Sequence, residues 1–217
     1  AGLHMHTNSK TRSLAVFQAL SKQVCTLAKV YSLKLQYIDI GGSFFVGKED
    51  FAAYEQYVCT IAEQLGTIFS PKDTCLMIEP GSAVISTPVK YLTKVLDVKD
   101  TNRDRFVVTD GGRLHIDPFM RKSRFVHTLL TDSTQPYKKQ VICGFSCMET
   151  DRIMTLEDSP ELSEGDYILY DLVGGYTMSF NALFIDYLPA VFVEHSNTYE
   201  LVREKWDVGE YLQKNKY

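Results

Sequence analysis

Three short segments carry side chains able to move protons or hold anions: His4-Met5-His6-Thr7-Asn8-Ser9, Asp39-Ile40-Gly41-Gly42-Ser43 and Glu79-Pro80-Gly81. Two imidazoles and a carboxylate offer general acid–base chemistry near neutral pH. A His-x-His pair is also a metal-ligand pattern, with Asp39 or Glu79 as further ligands. Further along, Cys143 to Asp151 presents a thiol, Cys147, and two carboxylates, Glu149 and Asp151, in a loop that contains Gly144. Gly174-Gly175-Tyr176-Thr177 places a phenol after a glycine pair. Each has a plainer explanation when taken singly: a Glu at a strand end is usually solvated, a cysteine is usually core, and a tyrosine after glycine usually packs.

The elements around these segments place them together. Leu3 to Thr7 reads as a short strand, with Asn8 or Ser9 as a helix cap. Leu14, Phe17, Leu20, Val24, Leu27 and Tyr31 recur at helical spacing, which predicts one buried stripe. Leu35 to Ile40 reads as the next strand, ended by Gly41-Gly42. A second amphipathic helix begins near Glu49 and Asp50, acidic residues suited to a helix N-terminus, and its stripe is Phe51, Tyr54, Val58, Ile61 and Leu65. Thr74 to Ile78 is a third strand, delivering Glu79. Strands separated by helices imply parallel crossovers, in a doubly wound sheet or a barrel; in either case ligands bind at the C-terminal strand ends. The three segments are those ends.

From Val89 onward the texture changes to short strands at turn-punctuated intervals: Tyr91 to Val98, Arg105 to Thr109, Gln140 to Cys143, Tyr167 to Tyr170 and Ala190 to Val193. Glu164-Gly165-Asp166 is a tight turn. This predicts an antiparallel sandwich or barrel, with a polar surface tail after Lys205.

At 217 residues and 45% hydrophobic content, the chain has the makings of a globular protein of one or two domains. A net charge of −4 gives no basic footprint for nucleic acid. No apolar run approaches the ~20 residues that span a bilayer. Five cysteines without a CxxC pair fit reduced thiols and a cytoplasmic location. The opening Ala1-Gly2-Leu3-His4 has neither a charged lead nor a long apolar core and reads like a domain interior, so a piece of a longer or nicked polypeptide is expected.

Taken in order, five segments resemble the pyridoxal-phosphate decarboxylases of the alanine racemase-like fold, the family of diaminopimelate, ornithine and biosynthetic arginine decarboxylases. They are Leu3 to Ser9, Ile38 to Phe44, Ile78 to Gly81, Gly144 to Asp151, and Gly165-Asp166 with Gly175-Tyr176. The resemblance implies α/β plus all-β architecture: residues 1–86 as the last three βα strands of a TIM (β/α)8 barrel, and residues 87–217 as a C-terminal antiparallel β-domain. The Schiff-base lysine of the family lies on an early strand, outside this sequence, so this piece alone is expected to be inactive. The resemblance further implies a homodimer with shared active sites and a partner in the missing N-terminal part of the same protein.

Roles carry over by position. Glu79 resembles the carboxylate on the pyridine nitrogen and His6 the histidine that stacks on the ring. Gly41, Gly42 and Gly81, with the Ser9 hydroxyl, resemble the phosphate and cofactor cradle, and Tyr176 resembles the tyrosine that reaches the phosphate. Cys147 resembles the cysteine that crosses a dimer interface to return a proton. Asp110 resembles a substrate-contacting aspartate, and Asp151 serves local structure. Four positions depart from the family pattern. Ser82 stands where the family usually has Arg after Glu-Pro-Gly, Ser43 replaces the third glycine of the turn, Asn8 replaces a glycine, and Met148 replaces the acid that helps select the substrate amine. Two alternatives stay open: a catalytically decayed member that binds and regulates partner subunits, and a metal-dependent barrel hydrolase using His4 and His6.

Overall fold

The computed structural model describes residues 1–8, 13–44 and 54–215. The chain forms two units, Ala1–Val89 and Lys90–Tyr217.

In the first unit the strands β1 (Gly2–His4), β2 (Tyr37–Asp39) and β3 (Cys75–Met77) form a parallel sheet in that order. Their register is Leu3 beside Ile38 beside Leu76. Each strand is shorter than the sequence pattern predicts. The ladder nevertheless continues past the ends: Met5 N–H donates to Asp39 O at 2.8 Å, Ile40 N–H to Met77 O at 3.1 Å, and Glu79 N–H to Gly41 O at 2.8 Å. The connections run through α1 (Leu14–Val30) and α2 (Tyr54–Leu65), as parallel pairing requires.

The N-cap of α1 is Ser13, whose hydroxyl accepts from Val16 N–H. This corrects the expected cap at Asn8 or Ser9; Asn8 is too far from the first helical turn, and Ser9 lies outside the described residues. The buried face is also rotated from the expected stripe. Phe17, Ser21, Val24, Cys25 and Ala28 are buried, whereas Tyr31 is 67% exposed. Small side chains let the helix approach closely, and the buried Ser21 hydroxyl is satisfied by Phe17 O at 2.8 Å, as burial of a polar group demands. In α2 the fully buried residues are Tyr57 and Ile61; Tyr57 was absent from the expected stripe. The helix start expected at Glu49, Asp50 and Phe51 lies outside the described residues.

The core of this unit joins Phe17, Val24, Ile38, Ile40, Phe44, Tyr57, Ile61 and Leu65. At its centre Phe17 and Phe44 stack with centroids 4.9 Å apart, and Tyr57 meets both edge-on, the geometry ring quadrupoles favour.

In the second unit β4 (Tyr91–Asp100), β5 (Arg105–Thr109), β6 (His127–Leu130), β7 (Pro136–Cys143), β8 (Arg152–Pro160) and β9 (Tyr167–Tyr170) form one sheet in the order β6-β9-β4-β5-β7-β8. The expected antiparallel sheet is instead mixed, because β5 and β7 pair in parallel. The crossover between them is long enough to hold β6 and the short helix α4 (Arg113–Ile116); α3 (Ser82–Ile85) precedes it in the chain. Strand β8, which is not among the strands expected from the sequence, ends in Glu157-Asp158-Ser159-Pro160. Its place at the sheet edge is where proline is tolerated. A separate hairpin of β10 (Val191–His195) and β11 (Thr198–Arg203) precedes α5 (Val208–Leu212), which has no buried residue. No helix among the described residues is long and apolar enough to cross a membrane.

Because Ile61 has no exposed surface, Ile61→Ala is expected to cost about 2–5 kcal/mol, read as a lowered urea midpoint of the full-length protein.

Candidate active site

In parallel strands, residues in register end level with one another, so the three segments that follow β1, β2 and β3 meet along one rim. His4 and Asp39 are register partners. His4 Nδ1 lies 3.0 Å from Asp39 Oδ2, and the other carboxylate oxygen, Oδ1, accepts from Gly41 N–H at 2.9 Å. Burial opposes ionisation of Asp39. The Gly41 amide, the His4 imidazole and contact with Glu79 outweigh it and hold the carboxyl below the usual range.

Two positions along, His6 Nδ1 accepts from Gly42 N–H at 3.3 Å. The His4 and His6 rings are 6.4 Å apart, consistent with alternate residues pointing to one side of a strand. The donor atoms of His4, Asp39 and Glu79 lie within 4.8 Å of one another, the one such grouping of three among the described residues. His6, the histidine the metal alternative adds to His4, is not in it.

The glycines make this convergence possible. Gly41 has φ +72°, and a Cβ there would lie 2.5 Å from His6 Nδ1. A Cβ on Gly42 would lie 2.3 Å from Glu79 O. Gly42 therefore sits between the imidazole of His6 and the backbone of Glu79, and only a residue without a side chain admits both. Both amides are already engaged, Gly41 with Asp39 and Gly42 with His6. Their observed part is to bring the rim together. Gly81, at φ +53°, turns the chain into α3 at Ser82.

The second unit holds the remaining candidates. Asp151 is 3% exposed. Its carboxylate accepts from Arg113 N–H at 2.7 Å, Ser146 N–H at 2.9 Å and Ser146 Oγ–H at 2.6 Å. A Cβ on Gly144 would fall 2.4 Å from that carboxylate, so glycine is required there. The loop wound around Asp151 leaves Cys147 exposed and Met148 half-buried. Burial pushes the neighbouring Cys143 thiol up, which disfavours its thiolate and leaves Cys147 as the accessible thiol of the pair.

Asp110 is exposed, with Oδ1 accepting from Lys94 N–H at 2.8 Å. Tyr176 is 53% exposed at φ +68° and meets Phe119 edge-on at 5.1 Å. Ser9 lies outside the described residues. The structure thus brings His6, Gly41, Gly42 and Glu79 together in one unit, and Asp110, Cys147, Met148 and Tyr176 each stand in the other. His4 and Asp39 were expected together only as ligands in the metal alternative, and their direct pairing was not among the expected contacts of the cofactor reading. Its signal was the register, which strand patterns leave open.

A parallel α/β unit with acid–base side chains along its C-terminal rim, continuing into a mixed β-domain, defines a ligand-binding architecture of the α/β class. The pyridoxal-binding domain of the pyridoxal-dependent decarboxylases matches residues 1–86, and the C-terminal sheet domain of that family matches residues 45–174. The chain belongs to the pyridoxal-dependent decarboxylase family.

Diaminopimelate decarboxylase of Helicobacter pylori is 24% identical over 185 residues, covering 82% of this chain and 44% of the relative. Ornithine decarboxylase of Cricetulus griseus is 24% identical over 232 residues, covering 98% and 50%. The solved structure of the Helicobacter pylori diaminopimelate decarboxylase complexed with L-lysine superposes with a TM-score of 0.80 at 22% identity, over 98% of this chain and 54% of that one. The chain spans about half the length of the relatives it matches.

Two outcomes test this geometry. Gly42→Ala is expected to destabilise the full-length protein by about 1–3 kcal/mol, since a new methyl meets rigid backbone; a shifted denaturant midpoint reads it. The contribution of Asp39 is fully present above the unfolded carboxylate value of about 3.9 and is lost as pH falls through its depressed folded value. Asp39→Asn should flatten that acid limb in a stability-versus-pH series.

Proposed function

We propose that this chain is the C-terminal part of a pyridoxal-phosphate-dependent amino-acid decarboxylase. In this reading it supplies the last three strands of a (β/α)8 barrel, up to residue 86, and the β-domain from residue 87. The observation that carries the reading is the match of both family domains, in order, to a chain whose strand ends bring His6 and Glu79 to either side of Gly42.

The residues present fit the cofactor. With no Cβ at Gly41 or Gly42, the His6 ring and the Glu79 backbone close on this turn and leave an exposed imidazole and an exposed carboxylate along the rim, while the second unit presents an exposed phenol and thiol. When bound, pyridoxal phosphate supplies an electron sink that accepts the electron pair left by loss of carbon dioxide. Glu79 would hold a proton on the pyridine nitrogen through a charge-assisted hydrogen bond. His6 would cover the ring face, its orientation held by Gly42 N–H. Ser9, Gly41, Gly42 and Gly81 would border the phosphate side, and Tyr176 would add its hydroxyl. Cys147 would return a proton to the substrate carbon, with Asp151 holding its loop in shape, and Asp110 would face a substrate ammonium group.

Substrates in this reading are amino acids of the diaminopimelate, ornithine, lysine or arginine class. Ser82 and Met148 lack the charges that the related enzymes place there, which directs specificity away from simple inheritance. The working assembly is a cytoplasmic homodimer completed by the N-terminal part of the same protein, where the cofactor-binding lysine lies.

The test uses the full-length protein. It is expected to copurify with pyridoxal phosphate that borohydride fixes to a lysine outside this sequence; a protein that binds no pyridoxal phosphate overturns the reading. Glu79→Gln is expected to keep the cofactor and lower kcat about 100-fold, the value of one charge-assisted hydrogen bond of about 2.7 kcal/mol.

A further inference from the structure

One buried polar cluster has no part in the site as described. Tyr91 Oη lies 2.7 Å from His115 Nδ1, and His115 is 7% exposed. Gly112 N–H points at the same nitrogen from 3.5 Å. An amide can only donate, so Nδ1 carries the lone pair, the Tyr91 hydroxyl donates, and the imidazole is neutral with its proton on Nε2. Burial lowers the pKa of His115, against Asp186, Asp151 and a backbone hydrogen bond at Tyr187, which raise it; Lys205 opposes them. Burial also pushes the Tyr91 hydroxyl far above its usual range, so it stays a donor.

The cluster touches two of the three segments of the second unit that carry candidate site residues, those of Asp110 and of Cys147. A Cβ on Gly111 would lie 2.7 Å from Tyr91 Oη, and one on Gly112 would lie 3.2 Å from the Phe145 ring and 3.4 Å from the Asp151 carboxylate. The His115 and Phe145 rings are 5.8 Å apart at 34°. Asp151 then binds Arg113 N–H on one side and Ser146 on the other. Residues 110–113, which include Asp110, and residues 144–151, which include Cys147, therefore rest on one base.

We propose that His115, hydrogen-bonded to Tyr91, is a positioning residue that holds the Asp110 turn and the Cys147 loop as a single unit. It acts through Tyr91, Gly112 and Phe145 rather than directly on Asp110 or Cys147. A proton on Nδ1 would face Gly112 N–H, donor against donor in a buried place, and would force the Tyr91 hydroxyl to turn from donor to acceptor, so this arrangement is present with neutral imidazole and lost with imidazolium. A histidine whose folded pKa is depressed contributes fully above its unfolded value of about 6.5. That contribution is lost as pH falls toward the folded value. The consequence for catalysis rests on the proposed roles of Asp110 and Cys147; the mechanical coupling does not.

The experiment is amide hydrogen exchange on the full-length protein across pH 4.5 to 8, corrected for intrinsic exchange. It follows the amides of Arg113, Gly144, Ser146 and Asp151. In the natural protein these four are expected to speed up together on acidification. Tyr91→Phe removes one hydroxyl that favours neutral imidazole, so it should move that rise to higher pH and speed exchange about tenfold or more near pH 6. His115→Asn keeps an acceptor at the place of Nδ1 but cannot take a proton, and exchange should stay slow throughout. Faster exchange at every pH alike, a response confined to one segment, or an unchanged profile in Tyr91→Phe would overturn the proposal. If Cys147→Ser keeps full turnover, the site reading of Cys147 falls, while the exchange profiles still decide the coupling.

Discussion

The rim of the first unit depends on close backbone approach at Gly41 and Gly42. Three parallel strands bring their C-terminal ends level, but side chains at those ends would normally hold the following turns apart. Here the missing Cβ atoms let the His6 imidazole reach the Gly42 amide and let the Glu79 backbone close on the same residue. The hydrogen bond from Glu79 N–H to Gly41 O extends the sheet by one more rung. A single methyl would break this arrangement by meeting backbone, which cannot swing aside as a side chain can.

Two carboxylates organise the two units by the same principle. Asp39 joins a backbone amide to an imidazole, and Asp151 joins two backbone amides and a hydroxyl. Withdrawing a charge from water is costly unless directed donors replace the lost hydration. In each case one donor is local, Gly41 or Ser146, and one partner is distant in sequence, His4 or Arg113, so each carboxylate ties its loop to a neighbour. The result is two hydrogen-bonded frames, one in the first unit that presents His6 and Glu79 and one in the second that presents Cys147.

The corrections to the sequence-based expectations share a physical origin. Strand interiors such as Arg105–Thr109 and Tyr167–Tyr170 were legible because β-branched and aromatic residues lie between clear turn signals. Strand β8 was missed altogether, and its polar end shows why: an edge strand needs only one neighbour and tolerates proline and charge. The face of α1 was legible only to within a rotation. Ser21, Cys25 and Ala28 are buried by close helix approach, which hydrophobicity alone does not register. The parallel pairing of β5 with β7 depends on how a long crossover returns, and no local pattern specifies that.

For the candidate site, the residue types were legible and their partners were not. The amino-acid sequence by itself determined which chemistry is available: imidazoles, carboxylates, a thiol and glycine turns at strand ends, in the order that marks the pyridoxal-dependent decarboxylase family. Tertiary structure alone decided that His4 pairs with Asp39, that Gly42 receives both His6 and Glu79, and that Tyr91 and His115 support two separate loops. The reason is that side-chain type and period are local properties, whereas register and hydrogen-bond partnership are set by which distant backbones come within reach.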